Sequence, residues 1–469
     1  MNENITAIDS PQPIDNSEAA IAALKNSDDS GIRYYAAWWL GKNRIQEAIS
    51  LLCECLQDER DITNLGGYPL RRQAARSLGM LKDSQAVPPL IKALDCSDPK
   101  VQEVVIQALK DIGDIAAVPA LINLLNAEKE DKPVEALIEA LTAFKVWQVQ
   151  EQIEPFLQHS SERVKCAAAQ YFYALTLEPR YLEMLFQTLG HENRFLRYAA
   201  AFDLAALGQV TIAPAIIKAH IPNNIKLATL KRILESLLQD KAEIEVKRQE
   251  QENFLFQTID ELLLDAIEGN IPRSNTVEAN REIEKIKELV NQPNANSQQV
   301  PESPISALIE ALKSPYPNVK AAAIKGLVQL APVSVDTIIQ IFETDEDGDL
   351  RAGLIQVLIQ IGDSRTLSLL EKVIGFEVGD HCQGKIRRVA ARGLGKIGRQ
   401  TGDAEIILQA IATLKGVLSQ PDDWALRYSA AASLEEIGNS DAISVLQAAS
   451  ERESDLVVQT RIKRALAYL

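Results

Sequence analysis

Ile32-Arg33-Tyr34-Tyr35-Ala36-Ala37-Trp38-Trp39-Leu40-Gly41 and Leu70-Arg71-Arg72-Gln73-Ala74-Ala75-Arg76-Ser77-Leu78-Gly79 are two copies of one phrase. An aliphatic residue precedes an arginine or lysine, two alanines follow, and a Leu-Gly or Ile-Gly stop closes the unit. The phrase returns at Val101 through Ile112-Gly113-Asp114, Val164-Lys165-Cys166-Ala167-Ala168 and Leu196-Arg197-Tyr198-Ala199-Ala200. Further copies stand at Val319-Lys320-Ala321-Ala322, Ile386-Arg387-Arg388-Val389-Ala390 and Leu426-Arg427-Tyr428-Ser429-Ala430. Successive copies lie roughly 30–40 residues apart, a period that signals a repeat array rather than a single core.

Each unit reads as a pair of helices. In Ala86-Val87-Pro88-Pro89-Leu90-Ile91-Lys92-Ala93-Leu94 the prolines open a helix and apolar residues recur at three and four. Ser97-Asp98-Pro99 is a turn and cap, and Val101, Val104, Val105, Ala108, Leu109 and Ile112 form the stripe of the second helix. Gly113-Asp114 ends it, since glycine accepts the left-handed conformation past a helix terminus. The expected fold is all-α, a HEAT-like α-solenoid of repeated antiparallel helix pairs, which presents an extended surface to a large ligand or partner. The phrase stops after Leu238. Lys241 to Asn270 is charged, with a stripe through Phe254, Leu255, Ile259, Leu262, Leu263 and Ile267, and Asn291 to Ser303 is polar. The expected organisation is a flexible N-terminus (1–16), a repeat segment (17–240), a charged helical insert with a polar linker (241–303) and a second repeat segment (304–469).

The chain has 469 residues, 46% of them apolar and 5% aromatic, with a formal charge of −16. An acidic chain lacks the basic face that nucleic acids and anionic membranes require. No apolar run approaches the ~20 residues of a membrane span, and the polar start (Asn2 to Pro13) has no apolar signal core. A cytoplasmic protein is expected, or a stromal one if plastid-encoded. Cys53, Cys55, Cys96, Cys166 and Cys382 form no disulfide framework, and no ligand spacing suggests a metal. Phosphate loops, nucleophile elbows and His-Glu metal helices are absent. Gly393 and Gly395 belong to a helix end.

Three features stand out as candidate chemistry. The first is the arginine of the phrase: Arg33, Arg71, Arg72, Arg197, Arg387, Arg388 and Arg427. Such a residue normally bonds neighbouring loops or helix ends. The pair Arg71-Arg72 follows a longer loop, Arg60 to Gly67, and paired guanidiniums suit carboxylates. The second is an aromatic cluster beside these arginines: Tyr34, Tyr35, Trp38, Trp39, Tyr68, Tyr198, Trp424 and Tyr428. Tyr34 and Trp38 share one helix face and Tyr35 and Trp39 another, so one pair can face the core and the other the concave surface. The third is Asp380-His381-Cys382-Gln383-Gly384, where a histidine and nearby Lys385 and Arg387 can lower a thiol pKa.

The stretches Gly31 to Gly41, Gly66-Gly67-Tyr68-Pro69 to Arg76 and Ile153-Glu154-Pro155-Phe156-Leu157 resemble the E subunit of E/F-type phycobilin lyases over about residues 17–240. Arg388 to Gly395 and Asp423-Trp424-Ala425-Leu426-Arg427-Tyr428 are similar to the F subunit over 304–469. Both parts in one chain resemble the single-chain members, typified by phycoerythrin alpha-subunit lyases. The resemblance implies an enzyme that joins an open-chain tetrapyrrole, phycoerythrobilin first, to a cysteine of a phycobiliprotein alpha subunit through a thioether. The bilin is then the substrate and no cofactor is needed, and a small companion lyase subunit is a further partner. Arg33, Tyr34, Trp38, Tyr68, Arg71, Arg72, Arg197, Tyr198, Trp424 and Arg427 are the expected bilin-binding residues, with His381 and Cys382 the catalytic candidates. Some members also shift a bilin double bond and carry Asn-His-Cys-Gln-Gly-Asn. Here Asp380 and Lys385 replace the flanking asparagines, which favours attachment without isomerisation. A HEAT-repeat scaffold that binds another protein without chemistry is the competing reading.

Overall fold

A computed structural model describes residues 14–64, 66–129, 131–240, 245–264, 276–291, 302–375, 383–420 and 423–469. Among them the chain forms 26 α-helices with short 3-10 turns and no strand, so the fold is an all-α array of helix pairs. The array divides into two compact units, Met1–Thr188 and Leu189–Leu469.

The sequence explains how each second helix begins. Asp29, Asp98, Asn193, Asp347, Asp423 and Asp455 each sit at an N-cap, and their side-chain oxygens accept amide hydrogens of the first turn. This satisfies donors that have no partner within the helix. Gly113, Gly362 and Gly438, with φ of +78°, +72° and +65°, end three of these helices in the left-handed region.

The Leu-Gly of the phrase does something else. Gly41 and Gly79 lie inside the helices Ser30–Lys42 and Pro69–Leu81, and Gly393 and Gly395 lie in the interior of Gln383–Gln400. The reading of these glycines as helix ends is therefore corrected. They mark places where neighbouring second helices approach closely. A Cβ on Gly41 would stand 2.5 Å from the Ser77 Cβ, and one on Gly395 would stand 2.7 Å from both Cα and Cβ of Ser433. The alanine pairs serve the same packing: Ala36, Ala37, Ala74, Ala75, Ala200 and Ala201 are fully buried. Gly395→Ala should therefore destabilise the second unit by about 1–3 kcal/mol, the usual cost of overpacking, read as a fall in urea midpoint at constant slope.

In the first unit the second helices Ser30–Lys42, Pro69–Leu81, Pro99–Ile112, Val134–Ala143 and Glu162–Thr176 stack in chain order. In the second unit the order departs from the chain. Thr276–Val290, Pro317–Gln329, Gly348–Ile361, Gln383–Gln400, Trp424–Ile437 and Leu456–Tyr468 stack one on the next, and the last packs against Asn223–Gln239, which packs on Arg194–Ala206. Residues 189–240 thus cluster with the later helices. The helix Glu245–Leu264 lies against Asn223–Gln239, Gln383–Gln400 and Trp424–Ile437.

Candidate functional site

The repeat register assigns the arginines their roles. Counting four residues from each of these N-caps gives Arg33, Gln102, Arg197, Arg351, Arg427 and Gln459, and Arg71 stands three past its N-cap Tyr68. Arg33 donates from Nε to the Leu24 carbonyl at 3.4 Å and forms ion pairs with Asp58 at 2.5 Å and Asp61 at 2.8 Å, while only 1% exposed. Arg71 donates to the carbonyls of Asp58 and Gln57, at 2.8 and 3.4 Å, and its guanidinium lies 4.0 Å from the Tyr68 ring centroid. Gln102 donates to the Leu94 carbonyl at 2.8 Å. Arg197 donates to the carbonyls of His191, Glu192 and His220. Arg387 donates to the Ile374 carbonyl, and Arg427 to the Gln420 carbonyl and to Glu453.

Arg351 is the exception, with its guanidinium 4.5 Å from the Phe342 ring centroid and its Nε without a hydrogen-bond partner; each of the other groups satisfies carbonyl oxygens left over at neighbouring helix ends. Glutamine at 102 does with an amide what arginine does elsewhere, so the position is selected for donors rather than for charge. Arg33, Arg71, Arg197 and Arg427, expected to face a bilin, have donors committed within the repeat. Arg388 is likewise paired with Asp423 at 2.7 Å.

Arg72 differs. It lies one residue past the structural position and makes no side-chain hydrogen bond or ion pair among the described residues, and neither does Arg76, one turn further along the same face. Arg76 was missed in the sequence because it sits outside the phrase's Arg-x-Ala-Ala core. Its signal is the register: Tyr34, Arg72 and Glu103 are equivalent positions on successive helices, and so are Trp38, Arg76 and Gln107. The row that begins with aromatics therefore continues with guanidiniums. Tyr34 and Tyr35 are exposed, Trp38 and Trp39 half-buried, and Tyr35 packs on Trp38 with centroids 5.2 Å apart. Neither pair faces the core, because Ala36, Ala37 and Leu40 fill that side.

This face of the first unit carries a groove of about 610 Å³, within the range of small-molecule sites. Arg76 and Met80 contribute from the Pro69–Leu81 helix, Val104, Gln107 and Asp111 from Pro99–Ile112, and Glu139 from Val134–Ala143. The groove's carboxylates differ in their partners. Glu139 is bridged by Lys110 at 3.2 Å and Arg163 at 3.3 Å, and Glu103 by Lys100 at 3.0 Å. Asp111 accepts the Gln107 amide at 2.8 Å. His159 also lines the groove, and its Nδ1 accepts the Ser161 amide at a helix entry.

The remaining candidates lie in the second unit. Tyr198 packs edge-on against the exposed Phe195, with centroids 6.4 Å apart. Trp424 is half-buried between Lys231, 5.4 Å from its ring centroid, and Tyr428. His381 and Cys382 lie outside the described residues. Among the other thiols, burial pushes Cys53 up to about 11 and Cys55 up to about 12, so both stay protonated at neutral pH. Among the described residues no group of three or more His, Cys, Asp or Glu could hold a metal ion, and no helix is long and apolar enough to cross a membrane.

The family model described as HEAT repeats matches residues 68–142, 305–380 and 376–467, and that of the PBS lyase HEAT-like repeat matches 32–58. The bilin biosynthesis protein PecE of Mastigocladus laminosus is 54% identical over 269 residues, which cover 55% of this chain and 99% of that protein. The phycocyanobilin lyase subunit alpha of Nostoc sp. is 46% identical over 231 residues, covering 46% of this chain and 83% of that one. A solved structure of the complex of CpcE and CpcF of phycocyanin lyase from Nostoc sp. is 41% identical, with a TM-score of 0.46, and covers 54% of this chain and 99% of that chain. On the two sequence relatives and the family models the chain belongs to the E/F-type phycobilin lyases, a family built from HEAT repeats.

Proposed function

We propose that the chain binds an open-chain tetrapyrrole on the second-helix face of the first unit and attaches it by a thioether to a cysteine of a phycobiliprotein alpha subunit. The observation that carries this reading is the pair Arg72 and Arg76: two guanidiniums one turn apart, without hydrogen bonds or ion pairs among the described residues, in register with an aromatic row, and with Arg76 lining a groove of about 610 Å³. Two propionate arms on a conjugated chromophore match two such guanidiniums, since arginine binds carboxylates bidentately. Asp111, in the groove, is the carboxylate assigned to the pyrrole N–H groups.

The chemistry asks little of the protein's own nucleophiles. The client thiolate adds to the exocyclic ethylidene carbon of the bilin. A sulfur–carbon bond forms, the carbon–carbon double bond opens, and a proton is taken up at the neighbouring ring carbon. Holding bilin and client together converts a bimolecular step into an effectively unimolecular one. The bilin is proposed as phycocyanobilin, named in the lyase alpha-subunit relatives, in place of the phycoerythrobilin first expected; a companion lyase subunit remains a proposed partner.

The test is co-expression of the chain with an apo alpha subunit and either bilin pathway. The expected product is a denaturation-resistant adduct that forms more readily with phycocyanobilin. Adduct with phycoerythrobilin alone would reverse the choice of bilin. No adduct with either bilin and no shift of free-bilin absorbance by the purified chain would leave the non-enzymatic scaffold.

A further inference from the structure

The helix Glu245–Leu264 covers, in the second unit, the face that the first unit leaves open. It buries Leu255, Phe256, Ile259 and Leu263. Phe256 stacks on Tyr428, with centroids 6.2 Å apart and planes inclined by 15°, and its carbonyl accepts the Tyr428 hydroxyl at 3.4 Å. Tyr428 is the register equivalent of Tyr34 and Arg72. Tyr34 is 37% exposed, whereas Tyr428 is fully buried. The same repeat surface is therefore open in one unit and occupied by the chain's own insert in the other.

The occupied face holds a cluster of charge. Arg461 is 7% exposed and pairs through Nη2 with Glu435. Arg392 approaches Glu436 through Nη2 at 3.9 Å and donates from Nη1 to the Ser433 hydroxyl at 3.4 Å. Both arginines and the Tyr428 hydroxyl act on Asp260 of the covering helix. Yet the Arg461 Nε stands 3.9 Å from Asp260 Oδ1, beyond hydrogen-bond reach, and that oxygen and both Nε groups have no hydrogen-bond partner. A carboxylate is thus held near two guanidiniums, 3.9 Å from the Arg461 Nε, without the paired bonds that normally compensate its burial. Burial accordingly pushes the Asp260 carboxyl above its ordinary range despite the two cations. Unmet donors and an aromatic ring thus lie together beneath this helix.

We propose that the 245–264 helix is a displaceable cover, and that Arg392, Arg461 and Tyr428 beneath it form a second carboxylate site, for a propionate arm of an open-chain tetrapyrrole. The Asp260 carboxylate stands in for that arm while the cover is closed. A propionate free to adopt bidentate geometry gains the Nε–H donors that Asp260 leaves unmet, and Tyr428 then meets the chromophore in place of Phe256. The proposal rests on the reading that the chain handles a bilin, and extends it to a site in the second unit.

Amide hydrogen exchange across 245–264 tests it in the full chain. Free-acid phycocyanobilin should speed exchange at Leu255 to Leu263 by about fivefold, as the closed cover becomes less populated, whereas its dimethyl ester should leave exchange unchanged. The response should persist in Arg72→Ala/Arg76→Ala, which removes the two guanidiniums proposed to hold bilin in the first unit. In Phe256→Ala, whose fold is checked by circular dichroism, exchange should already be fast without bilin. No response to the free acid, an equal response to the ester, or loss of the response in the double variant would each overturn the proposal. Adduct formation on the client is read separately, so a chain that opens its cover but transfers nothing would reject the proposed function and keep the site.

Discussion

Arg33→Ala is expected to lower the stability of the first unit by about 3–5 kcal/mol, the usual consequence of removing one partner from a buried charge cluster. The arginine is almost fully buried and holds Asp58 and Asp61, whose side chains are each 10% exposed. Its loss removes the ion pair to Asp61 and the Leu24 contact and leaves Asp58 to the exposed Arg60 alone. Burial works to raise the Asp58 carboxyl, but hydrogen bonds from Arg33 and Arg60 outweigh it and bring it down from 3.8 to about 2. A folded-state pKa below the unfolded value gives stability that is full above about pH 4 and lost as the pH falls through about 2. Urea titration followed by the fluorescence of Trp38 and Trp39 reads both effects: a lower midpoint at neutral pH, and in Arg33→Ala a weaker acid dependence between about pH 4 and 2. Arg60→Ala is the control. Arg60 also bonds Asp58, at 2.8 Å, but is 58% exposed, so its removal should cost under about 1 kcal/mol. An Arg33→Ala chain as stable as the parent but unable to bind bilin would reverse the assignment of this residue to the scaffold.

Arg72→Ala/Arg76→Ala should do the opposite: bilin affinity should fall by roughly 100-fold or more while melting stays nearly unchanged. Each charge-assisted hydrogen bond is worth about 1.5–3 kcal/mol, and two lost carboxylate contacts account for the fall. Neither side chain has a described partner, so the fold should not register the change by more than about 0.5 kcal/mol. Absorbance titration with the free acid and a thermal melt separate the outcomes. Unchanged affinity would remove the groove from the proposed function. Arg71→Ala, one residue earlier, should instead lower the melting temperature, because it removes the donor to the Asp58 and Gln57 carbonyls.

The helix pairs, their caps and their spacing were legible from the residues because all of them are local. Asp29, Asp98 and Asp423 announce helix starts whatever packs above them, and Gly113, Gly362 and Gly438 announce helix ends through a conformation that side chains resist. The use made of a residue was not legible where it depended on a neighbour. Arg71 and Arg72 are identical and adjacent, yet a helix turns successive side chains through about 100°, so one meets the carbonyls of the preceding helix and the other meets none. The Leu-Gly pair read as a stop because a glycine's two uses, left-handed backbone and missing Cβ, are the same letter; only the approach of Ser77 and Ser433 shows that Gly41 and Gly395 serve the second.

Longer-range choices were hidden further. The amphipathic stripe of 245–264 shows that this segment must bury one side, but not against what. Its burial on Tyr428 joins residues that are far apart in the chain, as does the packing of Leu456–Tyr468 on Asn223–Gln239. Local periodicity fixes which face of each helix is apolar. The pairing of faces is decided by three-dimensional shape, so that one copy of a repeated surface stays open and another is filled by the chain itself.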